Sequence, residues 1–405
     1  MSATDSPARQ ADATAGPAHL VELRRLLHRA PELRFAEHRT AALLAERIGA
    51  LGFAVRTGVG RTGVVATLTG PGPGPHLLLR ADMDAMPVPD AKTVPWASAV
   101  PGVTHACGHD VHMAVILGVA ERLAADGLRG GRVTVIFQPA EERPYGQPSG
   151  AEAMLADGAL TGPPPDAILG LHCWPDLPAG SIGIDERIAM ASKDAFSIAL
   201  TGRGGHAATP SRSRDAILGI AELVAALHAG IARSVDAGDL IAFNIGTIAG
   251  GASQSVVAGS AEITGTLRTV DAAVRARLRA AVERIATGIA AANELACTLR
   301  WADEMPAIVN DPRLVRRAHA VAARAIGGAH VHAIAVPPMT ADDFARFAEL
   351  GPALYLKLGV AGGTPWPALH ASTFDVDERC IGTGVTTLHA LAADLLARPL
   401  ADDAP

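Results

Sequence analysis

The chain has 405 residues, of which 49% are hydrophobic and 19% are charged, and its formal net charge is −6. This composition excludes disorder for the bulk of the chain, and the length predicts two domains. The acidic balance argues against nucleic acid and anionic membranes as partners, and it favours a small soluble substrate.

The cysteines and the N-terminus indicate the compartment. Four cysteines, at positions 107, 173, 297 and 380, show no paired spacing, which favours a reducing environment. Residues 1–18 are polar and rich in Ala and Pro, so we expect a disordered tail and no secretion signal. No uninterrupted apolar run approaches about 18 residues, the length of a membrane span. The expected location is the cytoplasm.

The first half of the chain alternates helices and strands. Apolar residues at helical spacing predict helices over 19–29, 40–51 and 113–126. Strands are predicted over 64–69, 76–80, 132–138 and 168–171. Several of them are almost wholly apolar, which is typical of a covered, mostly parallel sheet. We therefore expect an α/β domain with its site at the carboxyl ends of the strands.

From about residue 191 the predicted order of helices and strands changes. The pattern predicts strands over 192–202, 240–249, 262–269 and 296–302, with helices over 215–232 and 271–293. This β-α-β-β-α-β order is that of a ferredoxin-like unit, which can be inserted into a larger domain. A helix over 312–326, a strand over 352–358 and a helix over 383–396 follow. We expect a catalytic domain made of 19–190 and 304–405, interrupted by a second domain over 191–303.

Ligand-capable side chains are concentrated in the stretch THACGHDVHM, residues 104–113. Cys107 and His109 can reach one ion if the backbone is irregular there or lies at the start of a helix. Thiolate and imidazole suit zinc and its first-row neighbours. For an isolated Cys-x-His, a buried cysteine beside capping histidines is the ordinary alternative, so partners elsewhere in the chain must decide.

Those partners follow other predicted strands. Glu141 and Glu142 end the strand 132–138, and adjacent carboxylates cannot both point the same way, so one can bind metal while the other faces a water. His172 ends another strand, and His370 follows a Gly/Pro-rich loop. Together with Cys107 and His109, these residues supply five ligands, enough for two divalent ions. Such a pair acidifies a bridging water and polarises a carbonyl oxygen, while Glu141 serves as the general base and then acid.

Eight runs, in this order, resemble the M20 metallopeptidase superfamily, most closely its amidohydrolase branch of aminoacylases, hippurate hydrolases and auxin-conjugate hydrolases. They are LHRAPELRFAEHRT, RADMDAMP, HACGHDVH, FQPAEE, LGLHCWPDLPAG, GRGGHAATP, GTLRT and LHASTFDVDE. The match spans residues 22–396, and HACGHD combined with FQPAEE is highly specific.

The resemblance implies a dinuclear metal site and assigns its residues. The metal ligands implied are Cys107, His109, Glu142, His172 and His370, and the base is Glu141. Asp82, with help from Asp84, orients the ligands from behind. Zinc is the expected metal, with manganese, cobalt and nickel as alternatives because availability often decides occupancy.

The resemblance also assigns a role to the inserted domain, as a lid and homodimerisation unit. His206, in the GGH run, stabilises the oxyanion of the tetrahedral intermediate, in several relatives from the partner subunit. Arg268 receives the substrate carboxylate in some relatives, although a surface arginine is an equally ordinary interpretation. The chain departs from the family at Ser255, which replaces an asparagine of the lid, and at Asp342, which replaces a glutamate.

The sequence therefore predicts a metal-dependent amidohydrolase that cleaves N-acyl amino acids or similar small conjugates. A dipeptidase or carboxypeptidase of the same superfamily is the nearer alternative. A non-catalytic binder of an acylated metabolite is the alternative from another class.

Overall fold

The computed structural model describes residues 17–143 and 146–400. It shows a mixed α/β fold with a large, mostly parallel central sheet. Most of the expected N-terminal tail lies outside the described residues, although Ala18 already belongs to the first helix.

The first part of the chain contains four helices and five strands. The helices are α1 Ala18–Arg29, α2 His38–Gly49, α3 His109–Asp126 and α4 Gly150–Ala156. The strands are β1 Ala54–Val59, β2 Gly63–Thr69, β3 His76–Asp82, β4 Arg132–Gln138 and β5 Ala167–Pro178. Two boundaries differ from the prediction in a way that matters for the site. Helix α3 begins four residues earlier, at His109, and β5 is much longer, so His172 lies inside it.

Three later strands, β6 Ile182–Asp185, β15 Val331–Ile334 and β16 Ala353–Ala361, join these five in the central sheet. The order of its eight strands is β1-β2-β4-β3-β5-β16-β6-β15. The central strands β4, β3, β5 and β16 run parallel, so their carboxyl ends share one edge. Strands β1, β6 and β15, like the short helices α4 and α8 (Phe344–Ala348), were not predicted.

Both faces of this sheet are buried. Leu77 and Leu79 of β3 point into one hydrophobic cluster with residues of α1, α3 and the last helix, α9 Arg379–Ala397, whereas Leu78 joins a second cluster with Phe344. Helix α9 is apolar and long enough to cross a membrane by length and composition, yet 61% of its apolar window is buried. It packs against α3 and α7 (Pro312–Ile326), as a core helix does.

Residues 193–305 form a second, four-stranded antiparallel sheet in the order β10-β12-β8-β13. Its strands are β8 Lys193–Thr201, β10 Ile241–Gly250, β12 Ser260–Thr269 and β13 Ala296–Met305, and its helices are α5 Ala216–Ala232 and α6 Ala272–Ala292. Each helix begins at an aspartate cap, because Asp215 and Asp271 each accept two backbone N–H groups of the first turn. A separate hydrophobic cluster, including Phe196, Leu223 and Leu278, fills the space beneath them.

Two short pairs of strands complete the fold. They are β7 Ile188–Met190 with β14 Ile308–Val309, and β9 Gly205–His206 with β11 Val256–Val257. The first pair lies where the chain enters and leaves the four-stranded unit.

Adjacent leucines of α1 test how far this fold depends on its core. Leu27 is 3% exposed and Leu26 is 48% exposed. We expect Leu27→Ala to lower the free energy of unfolding by about 2–5 kcal/mol, because it leaves a cavity beneath α1. The matched change Leu26→Ala should stay within about 0.5 kcal/mol. Urea denaturation followed by circular dichroism measures both, and equal losses would contradict this packing.

Candidate metal centre

Cys107 and His109 are brought to one point by an irregular turn. Gly108 between them has φ 91°, in the left-handed region, and a Cβ there would lie 2.6 Å from the Cys173 sulfur. Only glycine fits such a position without strain. The turn leads directly into α3, so His109 is the first helical residue while Cys107 precedes the helix.

The five predicted ligands lie together at the carboxyl edge of the sheet. The Cys107 Sγ lies 3.3 Å from His172 Nε2 and 3.4 Å from His370 Nε2. The His370 Nε2 lies 3.0 Å from Glu142 Oε1. Donor atoms of two sets lie within 4.8 Å of one another, namely Cys107, His109 and His172, and Cys107, Glu142 and His370. Cys107 belongs to both sets.

The ring orientations direct lone pairs into this cluster. Nδ1 of His109 donates to the Asp84 carbonyl at 2.8 Å, and Nδ1 of His172 donates to the Cys173 carbonyl at 2.8 Å. Because a carbonyl only accepts, each Nδ1 carries a proton, and Nε2 is the ring nitrogen that faces the cluster and can bind a metal. Nε2 of His109 is buried and has no hydrogen-bond partner among the described residues. An orphaned buried imidazole nitrogen beside a thiol, a carboxylate and two more imidazoles fits a divalent cation.

Buried negative charge dominates this cluster. Burial lowers the pKa of His109, but the carboxylates of Asp82 and Asp84 outweigh it and raise that pKa to about 10. Burial and the carboxylates of Glu142 and Glu141 raise the pKa of the Cys107 thiol well above its usual value. Negative charge on neighbouring carboxylates contributes to both shifts, and a divalent cation would neutralise that charge.

Asp82 lies behind the cluster, between two histidines and an arginine. Its Oδ1 is 2.6 Å from His112 Nδ1, and its Oδ2 accepts from Arg80 Nη1 at 2.7 Å. Burial raises the pKa of Asp82, but His109, His112 and Arg80 more than offset this and hold it well below the usual range. His112 Nε2 accepts the Cys173 N–H at 2.9 Å. Both His112 nitrogens are thus occupied by protein groups, which disfavours His112 as a ligand.

Asp84 fixes the backbone of the glutamate pair. Its two carboxylate oxygens accept the N–H groups of Glu141 at 3.0 Å and of Glu142 at 2.8 Å. The same residue holds the His109 ring through its carbonyl. Asp84 therefore ties the turn after β4 to the start of α3.

Glu141 faces a second group of carboxylates. Its carboxylate lies within 4.8 Å of those of Asp342 and Asp343. Burial and the neighbouring Asp342 and Glu142 raise the pKa of Glu141 well above the usual range. Burial also raises the pKa of Asp343 to about 6, although Arg80 opposes it. A carboxyl group with a raised pKa is suited to exchanging protons.

The cluster opens into a cavity of about 240 Å³ between the central sheet and the four-stranded unit. Its lining residues are Cys107, Glu141, Glu142, His172, Trp174, Met190, Lys193, Arg268, Met305, Thr340, Ala341, Asp342, Leu369 and His370. Arg268, on β12, donates to the Met339 carbonyl at 2.8 Å, and burial lowers the pKa of its guanidinium. Asp342, which stands where the family has a glutamate, lines the same cavity.

Two predicted residues lie elsewhere. His206 and Ser255 are both exposed, and neither lines the cavity. They are close to each other, because the Ala207 N–H donates to the Ser255 carbonyl at 3.1 Å and His206 pairs with Val256. Within one chain the structure does not bring them to the metal ligands.

Comparison with known proteins decides the family. The model of peptidase family M20/M25/M40 matches residues 78–394. The chain belongs to this family.

Individual M20 relatives extend over almost the whole chain. An N-acetyl-L-cysteine deacetylase of Bacillus subtilis is 34% identical over 93% of this chain and 88% of its own length. A thermostable carboxypeptidase of Saccharolobus solfataricus is 34% identical over 92% of this chain and 94% of its own. A solved structure from Bacillus subtilis, described as a dinuclear metal binding M20 peptidase, has a TM-score of 0.79 at 30% identity, covering 94% of this chain and 98% of that one. Members of the family are hydrolases of amide and peptide bonds, and this chain is one of them.

Sequence reasoning missed the buried arginine at the centre of the M20 site. Arg80 is 1% exposed and also contacts Asp342, Asp343 and Gln138, in addition to Asp82. The available signal was a charge inside the apolar strand HLLLR, because a charge on a strand covered on both faces must be paired. Its partners Asp342 and Asp343 are more than 260 residues away, so spacing could not identify them.

Cys107 belongs to both donor sets, so its removal tests the metal centre of this M20 enzyme. We expect Cys107→Ala to weaken metal binding at least about 10-fold. Even mutation of a residue that only hydrogen-bonds to a metal ligand typically lowers metal affinity by that much. Elemental analysis after dialysis against a graded chelator series measures the loss. Cys297→Ala, a half-buried cysteine of β13, is the matched control. Wild-type metal retention in Cys107→Ala would contradict its role.

Proposed function

We propose that this protein is a metal-dependent amidohydrolase that cleaves the amide bond of N-acyl amino acids or similar small acyl conjugates. The observation that carries the proposal is the position of Glu141, a half-buried residue whose carboxyl group has a raised pKa, beside the ligand cluster on the wall of the cavity. A volume of about 240 Å³ suits a small substrate. The deacetylase relative acts on a substrate of this class, as its name states.

Cys107, His109 and His172 would hold one divalent ion, and Cys107, Glu142 and His370 would hold a second. Ions bound there would acidify a water and polarise the acyl oxygen. The mixed sulfur, nitrogen and oxygen donors favour zinc, with manganese, cobalt and nickel as alternatives.

The chain's own residues move the proton and orient the substrate. Glu141 accepts a proton from the attacking water and delivers it to the amine nitrogen as the C–N bond breaks, giving a carboxylate and an amine. Arg268 holds the carboxylate of the amino acid part with its guanidinium fork. Asp82 and Asp84 keep the histidine rings and the glutamate turn in place through the contacts described above.

The four-stranded unit, with its β-α-β-β-α-β order, serves in this proposal as a ferredoxin-like lid domain inserted over 191–303. Lys193, Arg268 and Met305 reach the cavity from it. His206 acts on the oxyanion of a partner subunit, because it is exposed and outside the cavity of its own chain. Exposed apolar residues of the unit, such as Ile248 at 61% and Val256 at 49%, supply a surface for a homodimer.

A carboxypeptidase or dipeptidase activity is the second candidate, favoured by the 34% identity to the Saccharolobus carboxypeptidase. Both activities use the same metal ligands and the same base. A dipeptide differs from an N-acyl amino acid because its acyl part carries a free α-amino group.

A substrate panel tests the proposal. Metal-reconstituted protein should hydrolyse N-acetyl or N-benzoyl amino acids with a higher kcat/KM than dipeptides, as measured by amine release. A preference for dipeptides would favour the second candidate.

Substitution of Glu141 tests its role as the general base. Glu141→Gln should reduce kcat by at least about 100-fold, because the water loses its general base, and should keep its metal. Glu121→Gln, on α3 away from the cavity, is the matched control. Full turnover by Glu141→Gln would contradict its assignment.

Mixing two inactive variants tests the action of His206 in a partner site. Glu141→Gln and His206→Ala are each expected to be inactive. After subunit exchange in equal amounts, half of the dimers carry one site with both groups intact, so about a quarter of wild-type activity should return. No recovery, or a monomer in sedimentation, would contradict the proposed exchange between subunits.

A further inference from the structure

The loop between α1 and α2, residues 30–37, lies against the turn that carries the glutamate pair. Glu37 is fully buried, and its Oε1 accepts the Ala140 N–H at 2.9 Å. Its Oε2 accepts the Thr62 hydroxyl at 2.5 Å. Arg34 of the same loop donates to the Glu142 carbonyl at 3.3 Å. The loop thus makes hydrogen bonds to both ends of the turn 140–142, at Ala140 and at Glu142.

The turn itself is strained at the residue that Glu37 holds. Ala140 has φ 49°, in the left-handed region that a residue with a Cβ seldom adopts. Such a conformation persists only where the surroundings enforce it. The Ala140 carbonyl accepts the Gly150 N–H at 3.1 Å, and a Cβ at position 150 would lie 1.5 Å from the Pro139 carbonyl oxygen. The backbone of Ala140 is therefore held on both sides, by a hydrogen bond to Gly150 at the start of α4 and by a hydrogen bond to the Glu37 carboxylate.

The direction of the two catalytic side chains depends on this conformation. Glu142 points to His370, whereas Glu141 points to the group that contains Asp342 and Asp343. Asp84 holds the N–H groups of Glu141 and Glu142, and Glu37 holds the one before them. Two carboxylates thus bind three consecutive N–H groups. If Ala140 relaxed to an ordinary φ, the next two side chains would change direction.

We propose that Glu37 is a positioning residue, which fixes the strained turn at Ala140 and thereby aims Glu141 at the water and Glu142 at the metal. This inference rests on the proposed function for the role of Glu141, and it extends that function to a residue outside the cavity. Glu37 does not line the cavity and acts only through the turn.

Two substitutions separate geometry from charge. Glu37→Gln keeps an acceptor oxygen for Ala140, and its amide can donate to the Thr62 hydroxyl, which rotates to accept. Glu37→Asp keeps the charge but withdraws the oxygen by one methylene. We expect Glu37→Asp to lower kcat about 10–100-fold with KM within about 3-fold, and to weaken metal binding by about 10-fold, as partners of ligands do. Glu37→Gln should stay within about 5-fold of wild type in both measurements.

Glu32→Ala is the matched control in the same loop. The Glu32 carboxylate accepts the N–H groups of Arg39 and Thr40 at the start of α2 and does not bind the turn. This variant should lose stability, about 1 kcal/mol as for other caps, but keep kcat and metal affinity. Thermal unfolding checks that every variant is folded. Glu37→Gln, which satisfies both partners, remains informative if Glu37→Asp fails to fold.

Two measurements test the inference. Steady-state kinetics on the substrate that wild type cleaves best give kcat and KM, and competition against a metallochromic chelator gives the metal affinity. Loss of kcat and metal affinity in Glu37→Asp, with rescue in Glu37→Gln, supports it. Wild-type values in folded Glu37→Asp, equal losses in Glu32→Ala, or a Glu37→Gln as defective as Glu37→Asp would overturn it. Inactivity of the wild type on every amide would contradict the proposed function instead, and metal affinity would still decide the role of Glu37.

Discussion

Asp84 is the residue on which the geometry of the candidate site depends. Its carboxylate binds the N–H groups of Glu141 and Glu142, and its carbonyl binds Nδ1 of His109. This residue, two positions after β3, thus connects the predicted base, a predicted carboxylate ligand and a predicted imidazole ligand. Because one of these hydrogen bonds is buried and the other two are partly buried, they hold the candidate site in place before a ligand enters.

The next constraint is the balance of buried charge. Arg80 offers its guanidinium to Asp82, Asp342 and Asp343, and the Tyr355 hydroxyl donates to Asp342. Removing one partner from such a group leaves an uncompensated buried charge, which costs about 3–5 kcal/mol. Glu141 lies at the edge of this group, and its raised pKa follows from burial and from the neighbouring carboxylates. The same charge distribution therefore stabilises the fold and prepares one carboxyl group for proton transfer.

Much of the fold followed from the sequence because apolar periodicity reports which faces are buried. Strands β3 and β4, helices α5 to α7 and the β-α-β-β-α-β order of residues 193–305 lie close to their predicted places. Short strands such as β6 and β15 were missed, since four residues carry no detectable period. The five predicted ligands lie together because parallel strands end at one edge, which chain order alone implies.

The rest of the site could not be predicted because it depends on contacts between distant parts of the chain. Arg80 meets Asp343, and Glu37 meets Ala140, with no spacing rule to link either pair. The distance between His206 and the cavity of its own chain was likewise inaccessible to sequence. Motifs in the sequence predict which side chains carry chemistry, whereas the residues that orient those side chains are fixed by tertiary packing.

We propose that Cys107 is shared between two divalent ions at the carboxyl edge of the central sheet. Anomalous diffraction from metal-loaded crystals, collected on both sides of the absorption edge of the metal, tests it most directly. The account predicts two peaks, one beside His109 and His172 and one beside Glu142 and His370, with the Cys107 sulfur between them. A single peak that does not contact Cys107, or a peak between Asp82 and His112, would contradict it.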